Sequence, residues 1–135
     1  MLTVLERVDF LRKVANLRFI PTQDLARVAS AASEVSFDAG QILYSQNSPP
    51  DSMFLLLEGD VELLEGERQR KVGEGQVVGA AALLADEPHA ESAVAATPVR
   101  AIQIDQQGLF EAMAENFAIT RGIVKALIRE AAAEE

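Results

Sequence analysis

The chain has 135 residues, of which 49% are apolar and none is cysteine. This length and composition exclude a disordered segment and a disulfide scaffold, and they predict one globular domain over residues 1–135, most simply in the cytoplasm. The formal net charge of -9 argues against nucleic acid as a partner, because binding to phosphates requires clustered Lys and Arg. Direct membrane insertion is not expected, because the longest uncharged apolar run is about half the length that spans a bilayer.

Residues 1–33 predict two N-terminal helices. Between Thr3 and Val14 the apolar side chains fall on one face at helical spacing. Pro21 then separates the two helices, and Thr22 can cap the second one. The expected buried stripe of the second helix comprises Leu25, Val28, Ala29 and Ala32.

Between residues 34 and 105 the apolar period shortens toward two, which is typical of strands. Turn signals at short intervals predict seven or eight short antiparallel strands. We therefore predict a mainly β fold with flanking helices, a double-stranded β-helix or jelly roll that forms a β-roll. Tyr44 and the phenylalanines are expected in its core. The interrupting glycines are Gly40, Gly59, Gly66, Gly73, Gly75 and Gly79.

Residues 106–135 predict two C-terminal helices. Asp105 can cap the first, over Gln106 to Ala114, and the second extends from Phe117 to Ala133. The second helix has too broad an apolar face to lie on one surface only. We expect it to pack on the β-roll and also to meet another domain of a larger protein or a second protomer. The alternative is an intradomain lid. The apolar residues of this helix are Ile119, Ile123, Val124, Leu127 and Ile128.

Residues 77–92 have the layout of a phosphate-holding cassette. Gly79 supplies a turn, a short helix of small residues follows near positions 80–85, and Pro88 precedes the return into a strand. The first N–H groups of a helix lack partners inside it and carry the positive end of its dipole, which favours an anion. The residues that would offer these groups are Ala80, Ala81 and Ala82.

The order of the elements resembles the cyclic nucleotide-binding domain family. The run from Pro88 to Asp105 matches the spacing of that family without a gap. The resemblance implies a β-roll with a phosphate-binding cassette in a non-enzymatic regulatory protein. The other motifs that carry it are Phe37-Asp38-Ala39-Gly40-Gln41-Ile42, Asp51-Ser52-Met53-Phe54, Glu58-Gly59-Asp60-Val61, Gly73-Glu74-Gly75 and Val78-Gly79.

Two positions of the cassette differ from the family pattern. In the family, a glutamate after the glycine holds the ribose hydroxyl, and an arginine after the proline pairs with the cyclic phosphate. Ala80 and His89 stand at these positions here. Alanine accepts no hydrogen bond, and histidine lacks the two-pronged donor geometry of arginine. Strand alternation would place Glu91 on the same face as His89, where a carboxylate would repel phosphate.

We therefore predict a regulatory or scaffolding domain with lost or weakened cyclic nucleotide binding and without a cofactor. The alternative is a ligand sensor that still binds cyclic AMP, cyclic GMP or another small anion at the start of the cassette helix. His89 is then either a pH-dependent anion contact or a loop histidine with no special role. The candidate ligand-binding residues are Gly79, Ala80, Ala81, Ala82, His89 and Ala90.

Three other functions can be weighed from the same residues. A metal site as in cupins would use His89 and Glu91, but one histidine is too few for the usual multi-histidine site. A hydrolase would need a nucleophile, a base and an orienting group, and no such set is evident. DNA binding would need a helix-turn-helix beyond Glu135. The basic cluster Arg68, Arg70 and Lys71 is interpreted as a solvated hairpin tip among glutamates.

Overall fold

The computed structural model describes residues 2–14, 22–30 and 32–134. Two compact units contain them: residues Ala32–Gln106 form a β unit, and residues Met1–Ala31 with Gln107–Glu135 form a helical unit. The elements follow in the order α1 (Val4–Val14), α2 (Thr22–Ser30), β1 (Ala32–Phe37), β2 (Ile42–Tyr44), β3 (Ser52–Glu58), β4 (Val61–Glu65), β5 (Arg68–Val72), β6 (Val77–Val78), α3 (Ala80–Ala85), β7 (Ser92–Ala95), β8 (Val99–Asp105), α4 (Gln106–Glu115) and α5 (Phe117–Glu134).

The β unit consists of two four-stranded antiparallel sheets. One has the strand order β1-β8-β3-β6 and the other has the order β2-β7-β4-β5. Strands that are distant in sequence therefore lie side by side, as in β1 and β8, where Ala32 is opposite Ile104 and Phe37 is opposite Val99. The predicted mainly β jelly roll with helices on both sides of it in the chain is confirmed.

The core of the β unit lies between the inward faces of the strands. Tyr44 stacks on Phe54 with ring centroids 6.5 Å apart, and Phe37 meets Phe54 edge to face at 5.6 Å. These rings occupy the core position that the sequence predicted for them. The buried members of this cluster are Tyr44, Phe54, Leu56, Val61, Leu63, Val72, Val78, Ala93, Ala95, Val99 and Ala101.

Arg100 on β8 connects three neighbouring strands. Its Nη2 donates to Oε1 of Glu34 on β1 at 2.6 Å, and its Nη1 donates to Oε1 of Glu58 on β3. The hydrogen bond with Glu34, and after it the one with Glu58, raises the pKa of the Arg100 guanidinium. Opposite charges on adjacent strands favour their pairing, so this cluster stabilises the order β1-β8-β3.

In the helical unit, α1 and α2 pack on each other. Of the apolar residues predicted for one face of α1, Val8 and Leu11 are buried, whereas Val4 and the neighbouring Leu5 are exposed. Leu25, Val28 and Ala29 are buried as expected. The fourth residue of the predicted stripe, Ala32, is buried in β1 instead, because α2 ends at Ser30 and Ala32 pairs with β8. The predicted start signal at Pro21 lies outside the described residues.

Helix α5 is buried on one side and exposed on the other. Ile119 and Ile123 are buried, whereas Val124 and Ile128 are exposed, and the side chain of Leu127 lies outside the described part. Phe117 is 72% exposed, which corrects the expectation that every phenylalanine belongs to the core. It is the first residue of α5, and the Arg121 guanidinium covers its ring at 5.8 Å from the centroid.

Candidate functional site

Gly79 fixes the entry into the cassette helix α3. Its φ of +85° lies in the left-handed region, where a side chain would be strained. An added Cβ would also lie 3.1 Å from the Ser52 carbonyl oxygen, 3.2 Å from Cε1 of His89 and 3.3 Å from Cε2 of Tyr44. Glycine is therefore required here both by the turn and by the close approach of two aromatic rings.

The predicted cassette helix forms at residues Ala80–Ala85, directly after Gly79. Its C-terminal end is held by a side chain that the sequence reasoning missed. Nε2 of Gln106 donates to the carbonyl oxygen of Leu83 at 3.1 Å and to Oδ1 of Asp86 at 2.8 Å. Gln106 directly follows β8 and is the last residue of the β unit, so these hydrogen bonds connect the end of the cassette helix with the end of β8.

His89 is buried in the loop before β7, with 3% of its surface exposed. Its imidazole stacks on the Tyr44 ring, with centroids 3.8 Å apart and planes inclined by 16°. The backbone fixes the same position, since His89 N donates to Ser48 O at 3.0 Å and Asn47 N donates to His89 O at 2.8 Å. His89, which the sequence resemblance places at the arginine position, is therefore part of the packed interior.

The surroundings of both rings favour their neutral forms. Burial lowers the pKa of His89, and the negative charge of Asp51 offsets this only in part. Burial, followed by the charge of Glu91, raises the pKa of Tyr44, although Arg70 and a backbone hydrogen bond with Gly79 oppose that shift. The stack therefore holds a neutral imidazole against a protonated phenol at neutral pH.

The lowered pKa of His89 predicts a loss of stability in mild acid. The unfolded chain takes up the proton at about pH 6.5 and the folded chain only at lower pH, so acidification favours unfolding. The stabilising contribution is complete above about pH 6.5 and is lost as the pH falls toward the folded pKa, with a slope of at most about 1.4 kcal/mol per pH unit.

The pH effect is measured by urea unfolding of the unsubstituted chain and of His89→Gln, which cannot titrate, between about pH 7.5 and about pH 5.5. We expect the difference between the two free energies of unfolding to change as the pH falls, because the free energy of the unsubstituted chain declines more steeply. Parallel curves would contradict the burial of a neutral imidazole at this position.

Glu91 does not have the position that strand alternation predicted. Strand β7 begins at Ser92, so His89 and Glu91 both precede it and alternation does not apply to them. Glu91 Oε1 lies instead 3.8 Å from Nη2 of Arg70 on β5. Arg70, predicted to belong to a solvated hairpin tip, is exposed but has this acidic partner.

A pocket of about 360 Å³ opens beside His89. Its wall combines strand β2, the loop before β3 and the inward side of β8. Among its described lining residues, only Asp51 carries a formal charge at neutral pH, given a neutral His89. The lining residues are Ile42, Leu43, Tyr44, Ser45, Ser48, Pro49, Asp51, Ser52, Phe54, His89 and Gln103.

The structure brings together some of the predicted site residues. A Cβ added at Gly79 would lie 3.2 Å from the ring of His89 and 3.3 Å from that of Tyr44, so Gly79 is close to both rings. Of the predicted ligand-binding residues that the structure describes, only His89 lines the pocket. Ala80, Ala81 and Ala82 lie in α3, and Ala90 directly follows His89. Sequence reasoning missed Ser52 and Gln103, although the Asp51-Ser52 motif was a signal of the family.

Within residues 2–14, 22–30 and 32–134, no group of three or more His, Asp or Glu side chains is placed to hold a metal ion. The helices of that same part of the chain include none that is long and apolar enough to cross a membrane.

Comparison with known proteins agrees with the fold. Residues 34–116 match the cyclic nucleotide-binding domain family. The chain belongs to this family. A cAMP-dependent protein kinase regulatory subunit of Emericella nidulans is 31% identical over 102 residues, which cover 73% of this chain and 25% of that protein. The corresponding subunit of Aspergillus fumigatus is 29% identical over the same length. The chain thus spans about a quarter of the length of these curated relatives.

Solved structures of a proposed cyclic nucleotide-binding protein and of a domain of a transcriptional regulator have the same fold. A proposed cyclic nucleotide-binding protein from Geobacter metallireducens is 28% identical, with a TM-score of 0.78 over 90% of this chain and 95% of that one. The N-terminal domain of a transcriptional regulator from Streptomyces coelicolor has a TM-score of 0.79 over 94% of this chain and 95% of that domain. At 20% identity, the second likeness concerns the fold alone.

Proposed function

We propose that this chain is a non-enzymatic regulatory domain of the cyclic nucleotide-binding family in which cyclic nucleotide binding is weakened or lost. The observation that carries the proposal is the burial of His89 against Tyr44. In the family this position belongs to the arginine that pairs with the cyclic phosphate. A neutral, stacked imidazole offers neither that charge nor a pair of parallel donors.

The other ligand-holding position supports the same conclusion. Ala80 begins α3 and has no side-chain oxygen to accept the ribose hydroxyl. Loss of one charge-assisted hydrogen bond costs about 1.5–3 kcal/mol, so loss of two weakens the affinity by roughly 10² to 10⁴. Asp51 lines the pocket beside His89, and its negative charge disfavours an anion there.

A regulatory role is supported by the relatives and by one exposed helix face. Two relatives are regulatory subunits of a protein kinase. In α5, Phe117, Val124 and Ile128 are 72%, 47% and 64% exposed, which is unusual for large apolar side chains on one helix. We propose that this face meets another domain or a second protomer. Light scattering after size-exclusion chromatography tests the second case, and a mass that is identical for the unsubstituted chain and for Val124→Glu with Ile128→Glu would exclude it.

The weakened binding is tested by stability measured with ligand present. A ligand at 100 times its Kd raises the free energy of unfolding by about 2.7 kcal/mol. With cyclic AMP or cyclic GMP at about 1 mM, we expect a gain well below about 2.7 kcal/mol, because the Kd should exceed about 10 µM. A gain of that size or more would show that the cassette still holds the nucleotide.

A further inference from the structure

The pocket beside His89 is lined by both of the polar residues that are buried in the part of the chain that the structure describes. Ser52 and His89 are the polar residues that are buried there, at 8% and 3% exposure, and both line the pocket. The Ser52 hydroxyl accepts a hydrogen bond from Nε2 of Gln103 at 2.9 Å. The imidazole of His89 stacks on the Tyr44 ring and lines the pocket. An imidazole there can form hydrogen bonds with a molecule in the pocket.

The dimensions and walls of the pocket suit a small molecule with an apolar body. Its volume of about 360 Å³ lies in the usual range of ligand pockets, roughly 300–1,000 Å³. Ile42, Leu43 and Phe54 supply apolar surface, while the neutral imidazole can donate from one nitrogen and accept at the other. A few convergent polar groups in an apolar wall are what fixes the orientation of a bound ligand.

The charge of the pocket selects the class of ligand. Among the lining residues that the structure describes, Asp51 alone has a formal charge when His89 is neutral, and it is exposed. The nearby cation Arg70 is placed beside Glu91, and the whole chain carries a net charge of -9. A negative rim on an acidic protein attracts cations and repels anions.

We propose that this pocket binds a small cationic amine with an aromatic or aliphatic body, whose ammonium group faces Asp51 and whose body contacts His89 and the Gln103–Ser52 pair. This goes beyond the weakened cyclic nucleotide binding, because it assigns the pocket a ligand of opposite charge. The two proposals fail separately, since one concerns phosphate at the cassette and the other concerns an amine beside Asp51.

Three probes of nearly equal shape test the proposal: tyramine, which is a cation, neutral 4-ethylphenol, and anionic 3-(4-hydroxyphenyl)propionate. Each is titrated into the full chain while the NMR signals of the His89 ring and the Gln103 side-chain amide are followed. We expect saturable shifts with tyramine, binding about fivefold weaker for 4-ethylphenol, as for loss of one exposed ion pair, and weaker binding still for the anion.

Asp51→Asn should remove the preference for tyramine over 4-ethylphenol. The control is Asp38→Asn, which should keep that preference because Asp38 is exposed and does not line the pocket. Three results would overturn the proposal. They are no saturable shift with tyramine up to millimolar concentration, binding of the anion that equals or exceeds that of tyramine, and an unchanged preference in Asp51→Asn.

Discussion

Substituting Ala80→Glu together with His89→Arg is expected to raise the affinity for cyclic AMP by roughly 10² to 10⁴. The two side chains restore a carboxylate for the ribose hydroxyl and a bidentate cation for the phosphate, each contributing about 1.5–3 kcal/mol. Glutamate also suits the first position of α3, because a negative charge is stabilised at a helix N-terminus. Arginine can extend from the Tyr44 face, on which its planar guanidinium can also stack.

The matched control moves the carboxylate by one residue, in the variant Ala81→Glu with His89→Arg. Ala81 is exposed on α3, and the charge and composition of the two double variants are identical. Calorimetric titration with cyclic AMP should show the large gain only when glutamate is at position 80. Equal affinities in the two variants would mean that general charge, rather than the two ligand-holding positions, governs binding.

Gly59→Ala is expected to cost about 3 kcal/mol or more of folding stability. Gly59 has a φ of +92°, where an L side chain is strained by roughly 1–2 kcal/mol. In addition, an alanine Cβ would lie 2.2 Å from the carbonyl oxygen of Pro98 and 3.0 Å from Cα of Val99. Both contacts involve backbone, so the turn after β3 would have to move away from the start of β8.

Gly40→Ala separates the two effects. Gly40 has a nearly equal φ of +88°, but an added Cβ would meet no atom within 4 Å. The folding stability that Gly40→Ala costs should therefore be limited to the backbone strain of roughly 1–2 kcal/mol. Urea unfolding of both variants measures the difference, and equal losses would show that the contact with Pro98 is relieved without cost.

Most of the fold could be predicted from local patterns in the sequence. The glycine turns and the short apolar runs predicted the strands, and the cassette helix at Ala80–Ala85 followed from Gly79 and the small residues after it. The position of Ala32 was wrong because pairing with β8, a long-range contact, ended the helical pattern there. The prediction that Phe117 is buried was wrong because hydrophobicity alone does not show which side of a helix is covered.

The arrangement inside the site could not be predicted in the same way. His89 and Tyr44 are distant in sequence, and their stack depends on how the loop before β7 pairs with the backbone of Asn47 and Ser48. The ion pair of Glu91 with Arg70 likewise joins elements that no local pattern relates. The assignment of Ala80 and His89 to the two ligand-holding positions stays a prediction from the sequence, whereas the burial that lowers the pKa of His89 is a property of the fold.

The central claim is that burial of His89 against Tyr44, together with alanine at position 80, removes tight cyclic nucleotide binding. Isothermal titration calorimetry of the unsubstituted chain with cyclic AMP and with cyclic GMP tests it most directly. We predict a Kd weaker than about 10 µM for both nucleotides. A Kd tighter than about 10 µM for either one would contradict the claim.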